Sequence, residues 1–296
     1  MKKIIVKIYY LFFTLQCKFF KIFFSNYAFF SITAKKFIIS PTIQQLKAAD
    51  RDLFPSNIRK YKLLFKKFGV SKNKNSIILD IGGNIGYSAI AFRKSIQEKS
   101  IDIYSFEPYP PNLFYIKKNI TKHNIKLFTF GLGDSNKTMG IGFPAYTKEI
   151  SNKDNRRNTG RVSFVGLDTD RGDKDSCLKA TIRNGDEFIQ SMEKSRKISF
   201  IKIDVEGFEL QVLTGLTKTI NISKPIIQME ANPVTMKIAN ITLFDVISFA
   251  KEVDYLCYLF NKTKLELIDI NTSLPSGVNE LILCPKHKKL QEHLLL

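Results

Sequence analysis

Hydrophobic residues in the central part of the chain form short runs that alternate with longer amphipathic stretches. The short runs predict strands near residues 76–82, 101–107, 125–132, 198–205, 225–230, 254–260 and 279–285. The amphipathic stretches predict helices near residues 86–98, 110–122 and 185–195. Strands that alternate with helices in this way are typical of a parallel sheet. The pattern therefore predicts an α/β protein with one main domain.

The same pattern divides the chain into segments. Residues 41–75 read as a helical preface, in which Ser56 would cap the helix NIRKYKLLFKKF and Gly69 would end it. Residues 76–286 form the main domain. Within it, residues 144–180 are polar apart from the run VSFVGL, which predicts an inserted hairpin and loop over the ligand-binding edge of the sheet. Residues 287–296 remain as a C-terminal tail.

Residues 1–40 combine many aromatic and aliphatic residues with a narrow polar stripe. At helical spacing the stripe contains Lys3, Lys7, Thr14, Lys18, Lys21 and Ser25. The lysines interrupt the run of about 20 apolar residues that a membrane-spanning helix needs, and they argue against a secretory signal. Two hypotheses remain for this segment. It is an interfacial helix on an anionic membrane, or an amphipathic helix packed on the main domain or on a second subunit.

The net charge of +19 is concentrated in the first quarter of the chain. Residues 1–75 hold sixteen Lys and Arg against two Asp, so +14 of the charge lies there. A basic surface is one signature of nucleic-acid binding, but these charges are interleaved with Phe and do not form a hydrophilic face. The distribution therefore favours peripheral contact with an anionic membrane over contact with nucleic acid.

Charged residues follow the predicted strand at 198–205. The sequence SFIKIDVEGFE places Lys202 and Asp204 on one face of that strand and Glu206 at the turn after it. Ligands of open α/β sheets bind beyond the carboxyl ends of the strands, so this group indicates a functional site. The alternative is an ion pair that only ties the strand end to a neighbouring helix.

A glycine-rich turn follows the first strand of the main domain. Gly82, Gly83 and Gly86 would let the main chain approach a ligand closely, and the helix after them offers free amides. Their G-G-x-x-G spacing differs from the G-x-G-x-x-G of pyrophosphate-binding turns. Glu107 ends the next strand, where a carboxylate can accept hydrogen bonds from both hydroxyls of a ribose. The turn and Glu107 together predict a nucleotide-like ligand.

Six segments carry a resemblance to a known family. They are LDIGGNIG (79–86), SFEPYPPNL (105–113), LGD (132–134), NTGRVS (158–163), IKIDVEGFELQVLTG (201–215) and PIIQMEAN (225–232). In this order they resemble the FkbM-type methyltransferases. The resemblance implies the class I methyltransferase fold, a Rossmann-like seven-stranded, mostly parallel sheet with helices on both faces. It also implies S-adenosyl-L-methionine (SAM) as cofactor and methyl transfer, in many members to hydroxyl oxygens of sugars or natural products.

The resemblance further implies where the cofactor is bound. The methionine side would be lined by Asp80, Gly82, Asn84 and Gly86, the ribose hydroxyls would be bound by Glu107, and the adenine would lie near Asp134.

Methyl transfer to a hydroxyl needs a base that removes the proton during attack. Because none of the three histidines falls at a predicted site position, we expect the base to be a carboxylate. Asp204 is the first candidate and Glu206 the second. Lys202 would keep Asp204 ionised or bind an anionic acceptor. Glu230, at the end of the next strand, would orient the substrate.

The spacing of the cysteines limits which metal sites and disulfides the sequence can indicate. The four cysteines form no C-x-x-C pair, so neither a zinc site nor a disulfide framework is indicated and no metal is expected. A cytoplasmic location is expected, with peripheral attachment to the inner membrane face as an extension of it.

The favoured function is SAM-dependent O-methylation of a sugar, glycan or lipid-linked glycan. The alternatives are a nucleic-acid methyltransferase and a membrane-associated binding protein without activity. The sequence leaves the acceptor and the oligomeric state open.

Overall fold

A computed structural model shows an α/β protein built on a nine-stranded sheet. It describes residues 13, 15, 27–31, 36–40, 53, 55–96, 98–144, 161–167, 177–193, 195–261, 264–288 and 294–295. From one edge of the sheet to the other, the strands are β5 (Ile125–Phe128), β4 (Asp102–Phe106), β3 (Ile77–Ile81), β9 (Ile198–Ile203), β10 (Ile226–Ala231), β13 (Asn279–Pro285), β11 (Tyr255–Asn261), β12 (Lys264–Leu267) and β14 (Leu294–Leu295).

The five strands from β5 to β10 are parallel, and β13 runs antiparallel between β10 and β11. This mostly parallel order confirms the α/β sheet that the pattern predicts and the class I methyltransferase fold that the resemblance implies. Each of the seven predicted positions contains a strand of this sheet, although the strand predicted over 125–132 ends at Phe128, and β12 and β14 extend the sheet beyond β11.

Helices cover both faces of the sheet. They are α1 (Pro55–Lys67), α2 (Tyr87–Ser95), α3 (Pro110–Ile120), α4 (Gly185–Met192), α5 (Glu209–Gly215), α6 (Thr217–Ser223), α7 (Pro233–Ile238) and α8 (Leu243–Glu252). Short 3₁₀ turns follow at Val70–Lys72 and Lys286–Lys288. The prediction for α1 is confirmed at its end, where Gly69 is left-handed with φ 71°, but the helix begins at Pro55 and therefore includes Ser56.

A separate hydrophobic core lies on each face of the sheet. Leu79 belongs to the core that α4, α5, α6 and α8 cover, and Ile78 belongs to the core that α1, α2 and α3 cover. Side chains alternate along a strand, so Asp80 lies on the same face as Ile78. The polar residues that line up with Asp80 across the sheet therefore share the face of α1, α2 and α3.

A second sheet of three strands lies beside the main one. Its strands are β6 (Gly131–Gly133), β8 (Cys177–Asn184) and β7 (Lys137–Gly142), in that order. The prediction of one strand over 125–132 is therefore wrong. The chain leaves the main sheet after Phe128 and resumes in β6, because Gly131 to Gly133 pair with β8 rather than with β4.

The predicted insertion at 144–180 lies largely outside the described residues. Its described part includes residues 161–167, where Ser163 pairs with Gly142 of β7. The Ser163 hydroxyl donates to the carbonyl oxygen of Glu206 over 2.7 Å. This part of the insertion therefore contacts the turn that follows β9.

Near the N-terminus, β1 (Tyr27–Ser31) and β2 (Lys36–Ser40) form an antiparallel hairpin. The sequence predicts a helix over most of residues 3–30, and this is wrong for the part of it that forms β1. Phe13 and Leu15 are helical, and Phe13 is buried in the core beneath α1. The rest of the predicted helix lies outside the described residues. Among the helices that the structure describes, none has both the length and the apolar character to span a bilayer.

We expect Gly215→Ala to lower the free energy of unfolding by about 3 kcal/mol, measured by chemical denaturation. A Cβ at this position would lie 1.8 Å from the Gly133 carbonyl oxygen, so α5 would have to move away from β6. Gly131→Ala is the matched control, because its Cβ would meet the Phe164 ring at an ordinary 3.4 Å. We expect it to cost less than about 1 kcal/mol. Equal losses in the two variants would contradict this packing.

Candidate active site

The glycine-rich turn joins β3 to α2 through three left-handed residues. Gly82, Asn84 and Gly86 have φ of 88°, 50° and 90°. Glycine is needed at the first of these for a second reason, because a Cβ on Gly82 would lie 1.8 Å from the carbonyl oxygen of Asp204. The turn after β3 therefore lies against the end of β9. This contact brings the two sequence-predicted sites together.

Asp80 is fully buried at the base of this turn. Its Oδ1 accepts a hydrogen bond from Ser88 Oγ over 2.8 Å, and its Oδ2 accepts one from Ser105 Oγ over 2.9 Å. Burial raises the pKa of Asp80, and the charge of Lys202 and the two serine hydroxyls oppose the shift. Both oxygens have protein partners, so Asp80 connects α2 to β4 beside Lys202, and its place on the methionine side of the cofactor stays a prediction.

Glu107 follows β4 and is 5% exposed. Its Oε2 accepts the Asn84 main-chain N–H over 2.6 Å, and its Oε1 accepts the Tyr109 N–H over 2.9 Å and the Asn112 side-chain amide over 3.3 Å. Burial raises the pKa of Glu107 to about 7, although these hydrogen bonds oppose the shift. The carboxylate is thus bonded directly to the glycine-rich turn, and its binding of the ribose hydroxyls stays a prediction.

Lys202 is a buried cation in the middle of the sheet. Its side chain is in register with Asp80 of β3, and its Nζ donates to Asp204 Oδ2 over 2.9 Å. Burial lowers the pKa of Lys202, but the charges of Asp204 and Asp80 outweigh it and hold the pKa well above its usual range. Lys202 is therefore a fixed positive charge between two carboxylates, rather than an ion pair on the protein surface.

Three carboxylates meet at the carboxyl ends of β9 and β10. Oxygen atoms of Asp204, Glu206 and Glu230 lie within 4.8 Å of one another. Burial raises the pKa of Glu206 to about 8, and the charges of Asp204 and Glu209 add to the shift. Burial and then the charge of Asp204 raise the pKa of Glu230 well above its usual range. The pKa values of Glu206 and Glu230 are thus raised, whereas Asp204 has an ammonium partner at 2.9 Å.

Glu209 shapes the turn that presents these groups. The turn contains two left-handed residues, Glu206 with φ 54° and Gly207 with φ 104°. The buried Glu209 carboxylate accepts the Val205 N–H over 3.2 Å and the Gly207 N–H over 3.0 Å. Burial raises the pKa of Glu209 to about 7. Through these two main-chain bonds Glu209 positions the turn after β9.

Asp134 has its partners in the three-stranded sheet. Its Oδ1 accepts hydrogen bonds from Lys137 Nζ and Ser135 Oγ, both over 2.9 Å, and its carbonyl oxygen accepts one from the Asn184 amide. The bond from Lys137 is the main cause of the lowered pKa of Asp134. The structure therefore does not join Asp134 directly to Glu107, and its place near the adenine stays a prediction.

Sequence reasoning missed polar residues that support this site. Ser88 and Ser105 hold Asp80, and Ser105 could have been found because it is in register with Asp80 on the neighbouring strand. Gln228 is in register with Lys202 and is 4% exposed, and its Oε1 has no hydrogen-bond partner among the residues that the structure describes. Gln228 could have been found because it lies two residues before Glu230 in PIIQMEAN, so the two side chains share one face of the strand.

Residues 80–257 match the Methyltransferase FkbM domain family. Methyltransferase 1 from Beauveria bassiana (strain ARSEF 2860) is 23% identical over 148 residues, which are 48% of this chain and 59% of that protein. Among solved structures, methyltransferase FkbM from Methylobacillus flagellatus KT aligns with a TM-score of 0.45 and 17% identity, over 81% of this chain and 54% of that one. An O-methyltransferase from Bacillus cereus, in complex with SAH, aligns with a TM-score of 0.40 and 13% identity, over 81% and 86%.

The chain therefore spans just over half the length of the first two of these relatives. The family match itself covers more than half of this chain and contains the glycine-rich turn, Glu107 and the carboxylate cluster. The chain belongs to the FkbM methyltransferase family.

Proposed function

We propose that the protein is a SAM-dependent O-methyltransferase whose acceptor is a hydroxyl of a sugar, a glycan or a lipid-linked glycan. The observation that carries this proposal is the Lys202–Asp204 ion pair beside two carboxyl groups of raised pKa, directly against the glycine-rich turn. Such a cluster places a carboxylate bonded to an ammonium beside carboxyl groups of raised pKa, and titratable groups in such different environments are typical of acid–base sites.

The residues around the turn fit SAM. A carboxylate has about four acceptor positions, and Glu107 uses three of them for protein N–H groups, so it can still accept a hydrogen bond from a ribose hydroxyl. When bound, SAM would supply the electrophilic methyl group.

Asp204 is the proposed base. It has an ammonium partner at 2.9 Å, which favours the charged form, whereas the pKa values of Glu206 and Glu230 are raised. Its side chain lies at the end of β9, next to the glycine-rich turn. It can therefore accept the proton of an acceptor hydroxyl that is held in line with the methyl group, and proton transfer by a positioned group contributes about 10² to 10⁴ in rate.

Glu206 and Glu230 are the proposed acceptor-binding groups. A neutral carboxyl group both donates and accepts a hydrogen bond, so a pair of them matches the adjacent hydroxyls of a carbohydrate. Their protonation also limits repulsion within the cluster. The basic N-terminal segment leads us to propose that the acceptor is reached at the surface of an anionic membrane, from its cytoplasmic side.

The carboxylate spacing would also suit a divalent cation. We propose that no metal is required, because Lys202 already supplies a positive charge to Asp204. Unchanged turnover in the presence of a chelator is the expected result.

The function is tested by incubating the purified protein with methyl-labelled SAM and, separately, with lipid-linked glycans, free polysaccharide or total RNA. We expect label in a glycan-containing reaction and no label with the Asp204→Asn variant. Label in RNA alone would overturn the proposed acceptor class. Mass spectrometry of the labelled product would identify the methylated atom.

We expect the affinity for S-adenosylhomocysteine to fall about tenfold per pH unit below pH 7, because the acceptor form of Glu107 is lost as the carboxylate is protonated. Above pH 7 the affinity should be constant. Glu107→Gln should weaken binding at least tenfold at pH 8 and remove this pH dependence, and calorimetry measures both effects. Glu252→Gln, at an exposed position of α8, is the control. An unchanged slope in Glu107→Gln would contradict the assignment.

We expect Asp204→Asn to lower kcat by about 10² to 10⁴ while cofactor affinity stays within a few fold, because the amide cannot accept the hydroxyl proton. Glu206→Gln should mainly raise KM for the acceptor. Steady-state kinetics with the identified acceptor separates the two effects. If Glu206→Gln abolishes turnover and Asp204→Asn retains it, the two roles are exchanged. If both variants remain active, Glu230 is the next residue to test.

A further inference from the structure

The N-terminal hairpin is connected to the glycine-rich turn by one buried side chain. Asn119, on α3, is 0% exposed. Its Oδ1 accepts the Ile39 main-chain N–H over 3.0 Å, and its Nδ2 donates to the Ile39 carbonyl oxygen over 2.9 Å. The same Nδ2 donates to the Ile85 carbonyl oxygen over 2.8 Å. The carboxamide therefore joins β2 on one side to the glycine-rich turn on the other.

These three bonds use both hydrogens and the oxygen of the Asn119 side chain. The pairing with Ile39 has the geometry by which a neighbouring strand would bind β2, with one bond accepted and one donated. Removing the side chain would leave the buried Ile85 carbonyl and two part-buried groups of Ile39 without this partner, and buried polar groups are costly to leave unpaired.

Ile85 lies at a sensitive position of the turn. The residue before it, Asn84, donates its main-chain N–H to Glu107 over 2.6 Å. The residue after it, Gly86, is left-handed, and a Cβ there would lie 2.6 Å from Ile120 Cγ2 of α3. The carbonyl of Ile85 is thus held between the ribose-binding carboxylate and the helix on which the turn rests. A shift of Ile85 would change the position of the Asn84 amide at Glu107.

The hairpin is part of the folded core. Ile38 and Ser40 of β2 are 0% exposed and Ala28 of β1 is 4% exposed. Ile38 belongs to the same core as Ile85 and Ile116. The position of β2 and the position of the turn are therefore set by one packed unit.

We propose that Asn119 is a positioning residue for the cofactor, and that β2 acts through it to hold the glycine-rich turn in its ligand-binding conformation. The proposal rests on the proposed function in taking SAM as the ligand. It makes the N-terminal segment a part of the cofactor site, so that binding at the turn and the order of β2 are reciprocally coupled.

The first test uses hydrogen exchange of the full-length wild-type protein, with and without S-adenosylhomocysteine. We expect the ligand to slow exchange several-fold both in the glycine-rich turn and at residues 36–40. Slower exchange in the turn with unchanged exchange at residues 36–40 would overturn the proposal. If calorimetry detects no binding by the wild-type protein, the proposed cofactor fails, which is a separate result.

The second test is a double-mutant cycle in the full-length protein. Asn119→Ala should weaken S-adenosylhomocysteine binding about tenfold, and Ile39→Pro, which removes the N–H bonded to Asn119, about threefold. In the Asn119→Ala background, Ile39→Pro should have no further effect, because the connection is already broken. Fully additive losses would contradict the proposed coupling.

Thr242→Ala is the control for a general loss of stability, because Thr242 caps helix α8, on the opposite face of the sheet from α3, through a capping box with Asp245. It should lower the melting temperature without changing the affinity for S-adenosylhomocysteine. If Asn119→Ala behaves in the same way, Asn119 is only structural and the proposal is wrong. If Asn119→Ala does not fold, Ile39→Pro and the exchange experiment still decide the question.

Discussion

The site depends on the interaction of the buried Lys202 ammonium with the carboxylates of Asp204 and Asp80. It lies in the middle of the sheet, in register with Asp80 on β3 and bonded to Asp204 at the end of its own strand. A buried cation is stable only where opposite charges compensate for its lost hydration. Asp80 and Asp204 provide that compensation, and the serines that hold Asp80 fix the geometry from below. The positions of Lys202, Asp80 and Asp204 therefore depend on the balance of charge inside the sheet.

The same charge balance separates the carboxyl groups into two kinds. Asp204 is bonded directly to Lys202, whereas Glu206 and Glu230 lie close to Asp204 and have raised pKa values. A cluster in which every carboxylate is ionised would be strongly repulsive, and protonation of its outer members removes that repulsion. The protein thus presents one carboxylate bonded to an ammonium and two carboxyl groups of raised pKa within 4.8 Å of one another, which is consistent with activation of a hydroxyl by a single base.

The glycine-rich turn connects this cluster to the rest of the molecule. Gly82 allows the turn to touch the main chain at Asp204, Asn84 reaches Glu107, and the carbonyl of Ile85 reaches Asn119. Through Asn119 the turn is also connected to β2. The hairpin and the buried position of Phe13 agree with the hypothesis that the N-terminal segment packs on the domain, for the residues that the structure describes. Contact of the remaining residues with a membrane stays a prediction.

The sequence by itself determined the sheet, most helices and the two halves of the site. Period-two and helical patterns, glycine at a strand-to-helix turn and charges at strand ends are local signals, so Glu107, Lys202 and Asp204 could be placed from short segments alone.

Only the tertiary structure decided how the two halves of the site meet. The break of the predicted 125–132 strand depends on pairing with β8, and the strand at 27–31, where a helix is predicted, forms a hairpin with β2. The raised pKa values of Glu206 and Glu230 and the bridge at Asn119 depend on burial and on residues distant in the chain. Such effects arise from contacts that form only when the sheet assembles, and no local pattern encodes them.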